Sequence, residues 1–313
     1  MPRDILGDGW TCRTLDLAPD AEGPVVASLV HRDRPPRQGP AVLYLHGFVD
    51  YFFQTHLAEA LEAAGYDFYA LDLRKYGRSL RPHQTPNHTA DLAVYDEEID
   101  QATEIIRAER GHAGLVLMGH STGGLIASLH AHRRPATYRA LVLNSPWLDL
   151  NAGWLMRGPV TAMVDVVGDL MPRLVLARGL AEAYGRSIHR ASGGEWDYDL
   201  ALKPLAGFPV RADWMRAIRR GHAAVAAGLA IDCPVLVCCS DASGPTTHAH
   251  PAIDRTDSVL DVEQIAARAH RLGPHVTLIR IAGGLHDLVL SKPPVRAAYL
   301  AAVIRWLSAY GAI

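Results

Sequence analysis

The chain has 313 residues, 49% of them hydrophobic and 20% charged, with a formal charge of −2 at neutral pH. That is ample apolar content for one large core, and a charge too balanced for attraction to nucleic acid or a membrane surface to be the main business. The first eight residues hold no continuous apolar stretch of the export type, and the longest apolar run, 154–176, is interrupted by Pro159, Asp165, Asp169, Pro172 and Arg173, which argues against stable membrane insertion.

In chain order, residues 11–17 and 24–30 read as an N-terminal strand pair joined by a turn around Pro19 to Gly23. Short runs rich in Val, Leu and Ile follow at 41–45, 67–72, 114–118, 139–144, 234–239 and 276–281, the kind of strand buried on both faces. Helical spacing lies between most of them, at 51–64, 92–109, 122–132, 262–271 and 294–309. Alternating strand and helix predict an α/β fold with a mostly parallel, doubly wound sheet. The interval after Asn144 breaks the alternation: some ninety residues carry helix-like patterns and four tryptophans. We therefore expect a core of residues 1–144 and 232–313, with 1–40 as the strand pair, and an inserted helical lid at 145–231. An insertion after the carboxyl end of a strand stands over the ligand crevice.

Within this frame the run Gly114 to Met118 leads into Gly119-His120-Ser121-Thr122-Gly123 and then into a helical pattern. A serine on a strained strand-to-helix turn tolerates little bulk at its flanks, so glycine on both sides is what a nucleophile elbow requires. A serine hydroxyl needs a base, a group to orient that base, and donors for the oxyanion. His286, on a loop after the last strand, is the expected base; His120 is expected to pack beneath the elbow. The N–H groups of Thr122 and of Phe48, in His46-Gly47-Phe48, are the expected oxyanion donors. For the acid, Asp241 directly follows a strand, whereas Asp257 precedes an apolar pair leading into a helix and stands one helix and one strand ahead of His286. Asp257 is preferred, with Asp261 as helix N-cap, and Asp241 is the alternative. Trp147 and Trp154 are the expected substrate contacts.

The four cysteines, Cys12, Cys233, Cys238 and Cys239, are irregularly spaced and read as reduced residues of a cytoplasmic protein. His248-Ala-His250 has no third ligand at useful spacing, so neither a metal nor another cofactor is expected.

His46-Gly47, Gly77-Arg78-Ser79, Gly119 to Gly124, the Asn144-Ser145-Pro146 turn, the Asp257 loop and Gly284-Leu-His286 together resemble the α/β-hydrolase superfamily, and within it the monoglyceride lipase, lysophospholipase and serine aminopeptidase group. The resemblance runs from about residue 40 to the C-terminus and implies the order nucleophile, acid, histidine, which Ser121, Asp257 and His286 obey. The expected function is hydrolysis of a small-molecule ester with a monoacyl or medium-chain apolar group. Alternatives are amide, lactone or carbon–carbon hydrolysis on the same triad, or ligand binding without turnover. Epoxide hydrolases and haloalkane dehalogenases carry aspartate where this chain has Ser121. The oligomeric state is not legible.

Overall fold

A computed structural model describes residues 3–150, 168 and 170–311. The chain runs through β1 (Arg3–Asp4), β2 (Gly7–Asp20), β3 (Gly23–Arg32), β4 (Ala41–Leu45), α1 (Thr55–Ala63), β5 (Asp67–Asp72), α2 (Asp96–Glu104), β6 (Leu115–His120), α3 (Thr122–Arg133) and β7 (Ala140–Asn144). After β8 (Val175–Ala177), α4 (Glu182–Ile188), β9 (Val210–Arg211) and α5 (Ala212–Ala227), it returns through β10 (Val235–Ser240), α6 (Val262–Ala269), β11 (Val276–Ile281) and α7 (Pro293–Tyr310).

Nine strands make one sheet in the order β1-β2-β3-β5-β4-β6-β7-β10-β11. The first three form an antiparallel meander that joins the rest through antiparallel β3 and β5. From β5 to β11 every pairing is parallel. The sheet is therefore mostly parallel, as its Val- and Leu-rich strands require. Along each central strand alternate side chains enter different layers, because successive residues point to opposite faces. Leu43, Leu117, Leu141 and Val237 join one apolar cluster with Ile99, Leu125, Ile218 and Ile265 from α2, α3, α5 and α6. Tyr44, Met118, Val142 and Cys238 join another with Leu57, Leu61, Tyr299 and Val303 from α1 and α7. Burial of each such large side chain contributes about 1.5–3 kcal/mol, and the two layers hold the sheet's C-terminal edge in fixed register.

The expected helix at 92–109 is composite. A 3-10 turn at Leu92–Tyr95 starts on Asp91, whose carboxylate accepts the Ala93 N–H; α2 follows, and a π turn at Ile105–Glu109 ends it. In the described part of 145–231 a two-stranded ribbon appears where helices and loops are expected: β8 pairs antiparallel with β9. Strands this short carry no periodic signature. Among the described residues, no helix is long and apolar enough to cross a membrane.

Candidate active site

Ser121 stands between β6 and α3 with φ 53° and ψ −118°, a conformation that costs an L-residue energy and persists only where its surroundings impose it. Here they do. Its N–H donates to Asn144 O at 3.0 Å on neighbouring β7, and its carbonyl accepts the N–H groups of Gly124, Leu125 and Trp147 at 2.9, 3.2 and 3.0 Å. The flanking glycines are required by close approach: a Cβ at Gly123 would collide with the carbonyl oxygens of Leu45 and His46, and one at Gly119 would lie 2.5 Å from Gly123 O. The turn lifts the Ser121 hydroxyl over the sheet edge, next to the positive end of α3.

His286 reaches this hydroxyl from the loop after β11. Its Nε2 lies 3.0 Å from Ser121 Oγ, and its Nδ1 lies 2.9 Å from Asp257 Oδ2. All three residues are buried. The other Asp257 oxygen accepts the N–H groups of Val259 and Leu260 at 2.9 and 2.8 Å, so the carboxylate is fixed from both sides. Its backbone is tied in as well: Asp257 N donates to Ala242 O, and Gly244 N donates to Asp257 O. The segment 242–256 thus leaves β10 and returns beside it, bringing Asp257 rather than Asp241 to the imidazole. Asp241 is exposed and accepts the Gly283 N–H at 2.9 Å; it stands outside the constellation. Asp261 caps α6 by accepting the Glu263 N–H.

His120 packs under the elbow, its ring 4.9 Å from that of His286 and its Nδ1 3.1 Å from Asn144 O. With Nδ1–H committed to that carbonyl, Nε2 is left as acceptor. Burial pushes this imidazole below its ordinary value, against the pull of Asp287. The loop after β4 passes close to the serine, since a Cβ on Gly47 would lie 3.2 Å from Ser121 Cβ. Phe48 and Thr122 both line the cavity at Ser121. Neither N–H donates to another group among the turn and loop hydrogen bonds of the described residues.

The cavity measures about 370 Å³. Its apolar wall includes Trp214 between Phe48 and Trp147, the rings tilted with centroids 4.2 Å (Phe48–Trp214) and 6.0 Å (Trp214–Trp147) apart, and Leu180, Ile188 and Leu205. Trp147, expected as a substrate contact, lines this cavity; Trp154 lies outside the described residues.

Sequence reasoning misses a charged floor. Asp50 Oδ1 pairs with Lys203 Nζ at 2.6 Å, and both residues are largely buried. Asp287, fully buried, accepts from Asn144 Nδ2 at 2.7 Å and Gln54 Nε2 at 3.2 Å. Burial pushes its carboxyl up, yet His120, Lys203 and these two amides together hold it below the usual carboxylate range. Asp50, His120 and Asp287 offer ligand-type atoms within 4.8 Å of one another, a grouping of the kind that can hold a cation, although Lys203 already takes one Asp50 oxygen. Two local signals were present: Asp50 follows the oxyanion loop by two residues, and Asp287 adjoins His286. Lys203, 153 residues from its partner, left none.

Residues 36–292 match the family described as serine aminopeptidase, S33. A monoacylglycerol lipase of Mycolicibacterium smegmatis is 30% identical over 146 residues, which is 46% of this chain and 50% of that protein. Human epoxide hydrolase 4 is 30% identical over 124 residues, 39% of this chain and 33% of that protein. The chain thus spans half or less of the length of these relatives. Similar solved structures include a monoacylglycerol lipase of Paleococcus ferrophilus (TM-score 0.64, 20% identity, 96% of this chain and 99% of that one). A soluble variant of monoglyceride lipase from Saccharomyces cerevisiae, in complex with a substrate analog, gives a TM-score of 0.67 at 17% identity over 97% of this chain and 96% of that one. At such identities the structures speak for the fold alone, the α/β-hydrolase fold. With the family match covering most of its length, the chain belongs to the serine aminopeptidase S33 family of α/β-hydrolases.

Proposed function

We propose that this protein is a serine hydrolase that cleaves a carboxylic ester of a small molecule through an acyl-enzyme. The observation that carries the reading is the unbroken chain from Ser121 Oγ through His286 to Asp257, at 3.0 and 2.9 Å. As Ser121 Oγ bonds to the ester carbon, its proton passes to His286 Nε2, and the carbonyl oxygen takes up negative charge facing the N–H groups of Phe48 and Thr122. Asp257 keeps the imidazole in the tautomer with Nδ1–H and stabilises its positive form. The tetrahedral adduct collapses as Nε2 returns the proton to the departing alkoxide. Water then repeats the sequence on the acyl-enzyme, giving the acid and free Ser121. These steps call for no cofactor.

On this reading residues 1–144 and 232–313 are the catalytic core and 145–231 the cap over it. The aromatic wall of Phe48, Trp147 and Trp214 supports an apolar monoacyl or medium-chain group, in keeping with the lipases named among the relatives. Four unpaired cysteines support a reducing, cytoplasmic setting. A fluorophosphonate probe should label the wild-type protein, and Ser121→Ala should lose both labelling and hydrolysis of nitrophenyl esters. Labelling that survives the substitution would remove Ser121 from the mechanism.

A further inference from the structure

The loop carrying His286 is held from two directions. From the core, Asn144 and Gln54 bind the Asp287 carboxylate, and Asn144 Oδ1 also accepts the Leu288 N–H at 3.3 Å. From residues 145–231 two side chains reach it among those described: Trp196 donates its Nε1–H to Leu290 O at 2.8 Å, and Tyr184 acts beside the imidazole itself. Tyr184, on α4, accepts the Asp287 N–H on its phenol oxygen at 3.1 Å. Its ring stands edge-on to the His286 imidazole, with centroids 5.9 Å apart and planes at 80°. Burial, reinforced by the charge of Asp287, pushes this phenol well above its ordinary pKa, so it remains a neutral hydroxyl beside two carboxylates. The N–H it accepts belongs to the peptide directly after the imidazole-bearing residue. Ring edge and hydroxyl therefore constrain His286 at both its side chain and its backbone.

We propose that Tyr184 is a positioning residue: by taking the Asp287 N–H it sets the His286 imidazole between Ser121 and Asp257, and so ties productive geometry to the seating of residues 145–231 on the core. The proposal rests on the Ser121, His286 and Asp257 reading given above. Its physical basis is the short reach of proton transfer, for which a displacement of about 1 Å at the base costs as much as 10²-fold in rate. Without the hydroxyl, a buried N–H next to the base loses its acceptor, and the loop relaxes toward whatever satisfies it. The core contacts of Asp287 hold its carboxylate but not this N–H, so they do not substitute for the phenol.

Tyr184→Phe keeps the ring and removes only the acceptor. With nitrophenyl acetate and butyrate, kcat should fall about tenfold or more while KM stays within about twofold, and the second-order rate of phosphonylation by a small fluorophosphonate should fall in parallel. Thermal midpoint and circular dichroism identify a variant that has merely lost its fold. For such a case the downfield proton signal of the His286 to Asp257 hydrogen bond, read in the wild type as the cap is perturbed with low urea, gives a second measurement: it should broaden before global unfolding. A kcat and phosphonylation rate within twofold of wild type, or a signal unmoved until global unfolding, overturns the proposal and leaves the hydrolase reading standing. A wild type that is never phosphonylated on Ser121 instead removes the hydrolase reading itself.

Discussion

β4 and β8 are both short apolar runs, AVLYL and VLA, yet they are built into the molecule in different ways. β4 is sealed between two helical layers, with every residue at 1% exposure or less, whereas β8 pairs only with two-residue β9 and leaves Val175 and Leu176 about two-fifths exposed. The core fixes its loops through continuous backbone register. Apart from the apolar packing of α5 and backbone bonds near its two ends, the described part of 145–231 is tied to the core by separate side chains: Lys203 on Asp50, Arg173 on Glu22, Asp213 on His88, Tyr184 on Asp287 and Trp196 on Leu290 O. Groups placed by register can be held to the tolerance that bond-making demands. Groups placed by single contacts can be altered one at a time, which is where selectivity and gating are most cheaply varied. Substitutions in the two regions should accordingly differ in kind.

The largest effect is expected within the core. Asp257→Asn leaves the fold intact but favours the wrong imidazole tautomer, and kcat should drop by about 10³–10⁴. Asp241→Asn, one residue past the end of β10, should change kcat by less than about twofold, because that carboxylate accepts the Gly283 N–H and stands away from the imidazole. Steady-state kinetics on one nitrophenyl ester separates the two. Equal losses would mean that the return of the 242–256 segment does not decide which acid serves the imidazole.

Much of the core was legible for a physical reason. Strands 41–45 and 67–72 are recovered to the residue, because fully buried parallel strands are written as apolar runs closed by polar or glycine punctuation; the edge strand 276–281 is recovered on its Val, Leu and Ile residues although Ile281 alone of its six is buried. β6 outruns its expected end at Met118 because Gly119 and His120 continue the ladder opposite Leu143 and Asn144, and a ladder partner leaves no trace in local composition. The same holds at the site. Ser121, His286 and Asp257 announce themselves through strand-turn-helix context and chain order. Tyr184 and Lys203 come from the stretch of short elements around β8, α4 and β9, and their partners lie 103 and 153 residues away.

A smaller effect should come from breaking one of the separate contacts. Lys203→Met strands the Asp50 carboxylate, whose Oδ2 is already buried without a hydrogen-bond partner among the described residues. Removing one member of a buried pair costs about 3–5 kcal/mol, chiefly through the charge left behind. Lys203 keeps 14% of its side chain exposed, which places the loss near the lower end, about 3 kcal/mol. Asp50→Asn in the same chain should restore most of it. Urea midpoints of the two single variants and the double variant close the cycle. A double variant no more stable than Lys203→Met would show that the pair is not what holds 145–231 at this point.

The smallest effect tests a contact within residues 145–231, where α5 meets Trp147 at the cavity wall. His222 donates Nε2–H to Trp147 O at 2.9 Å, and its Nδ1 is buried with no partner among the described residues. Burial pushes this imidazole from 6.5 down to about 4. Unfolded chains bind a proton here below 6.5 and the folded protein does not until about 4, so the stabilisation is complete above 6.5 and is lost as pH falls through that window. At pH 5 the loss from this group alone amounts to about 2 kcal/mol, at 1.36 kcal/mol per unit. His222→Gln keeps an N–H donor and removes the titration. Its unfolding free energy should therefore fall less steeply than that of the wild type between pH 6.5 and 4, with the two curves parallel above pH 7. Coincident slopes through the acid window would place the pH sensitivity in buried His31, His120 and His130 and part-buried His56, which desolvation likewise pushes down and none of which lies in residues 145–231. The slope difference thus reports whether the inserted segment or the core carries the acid lability.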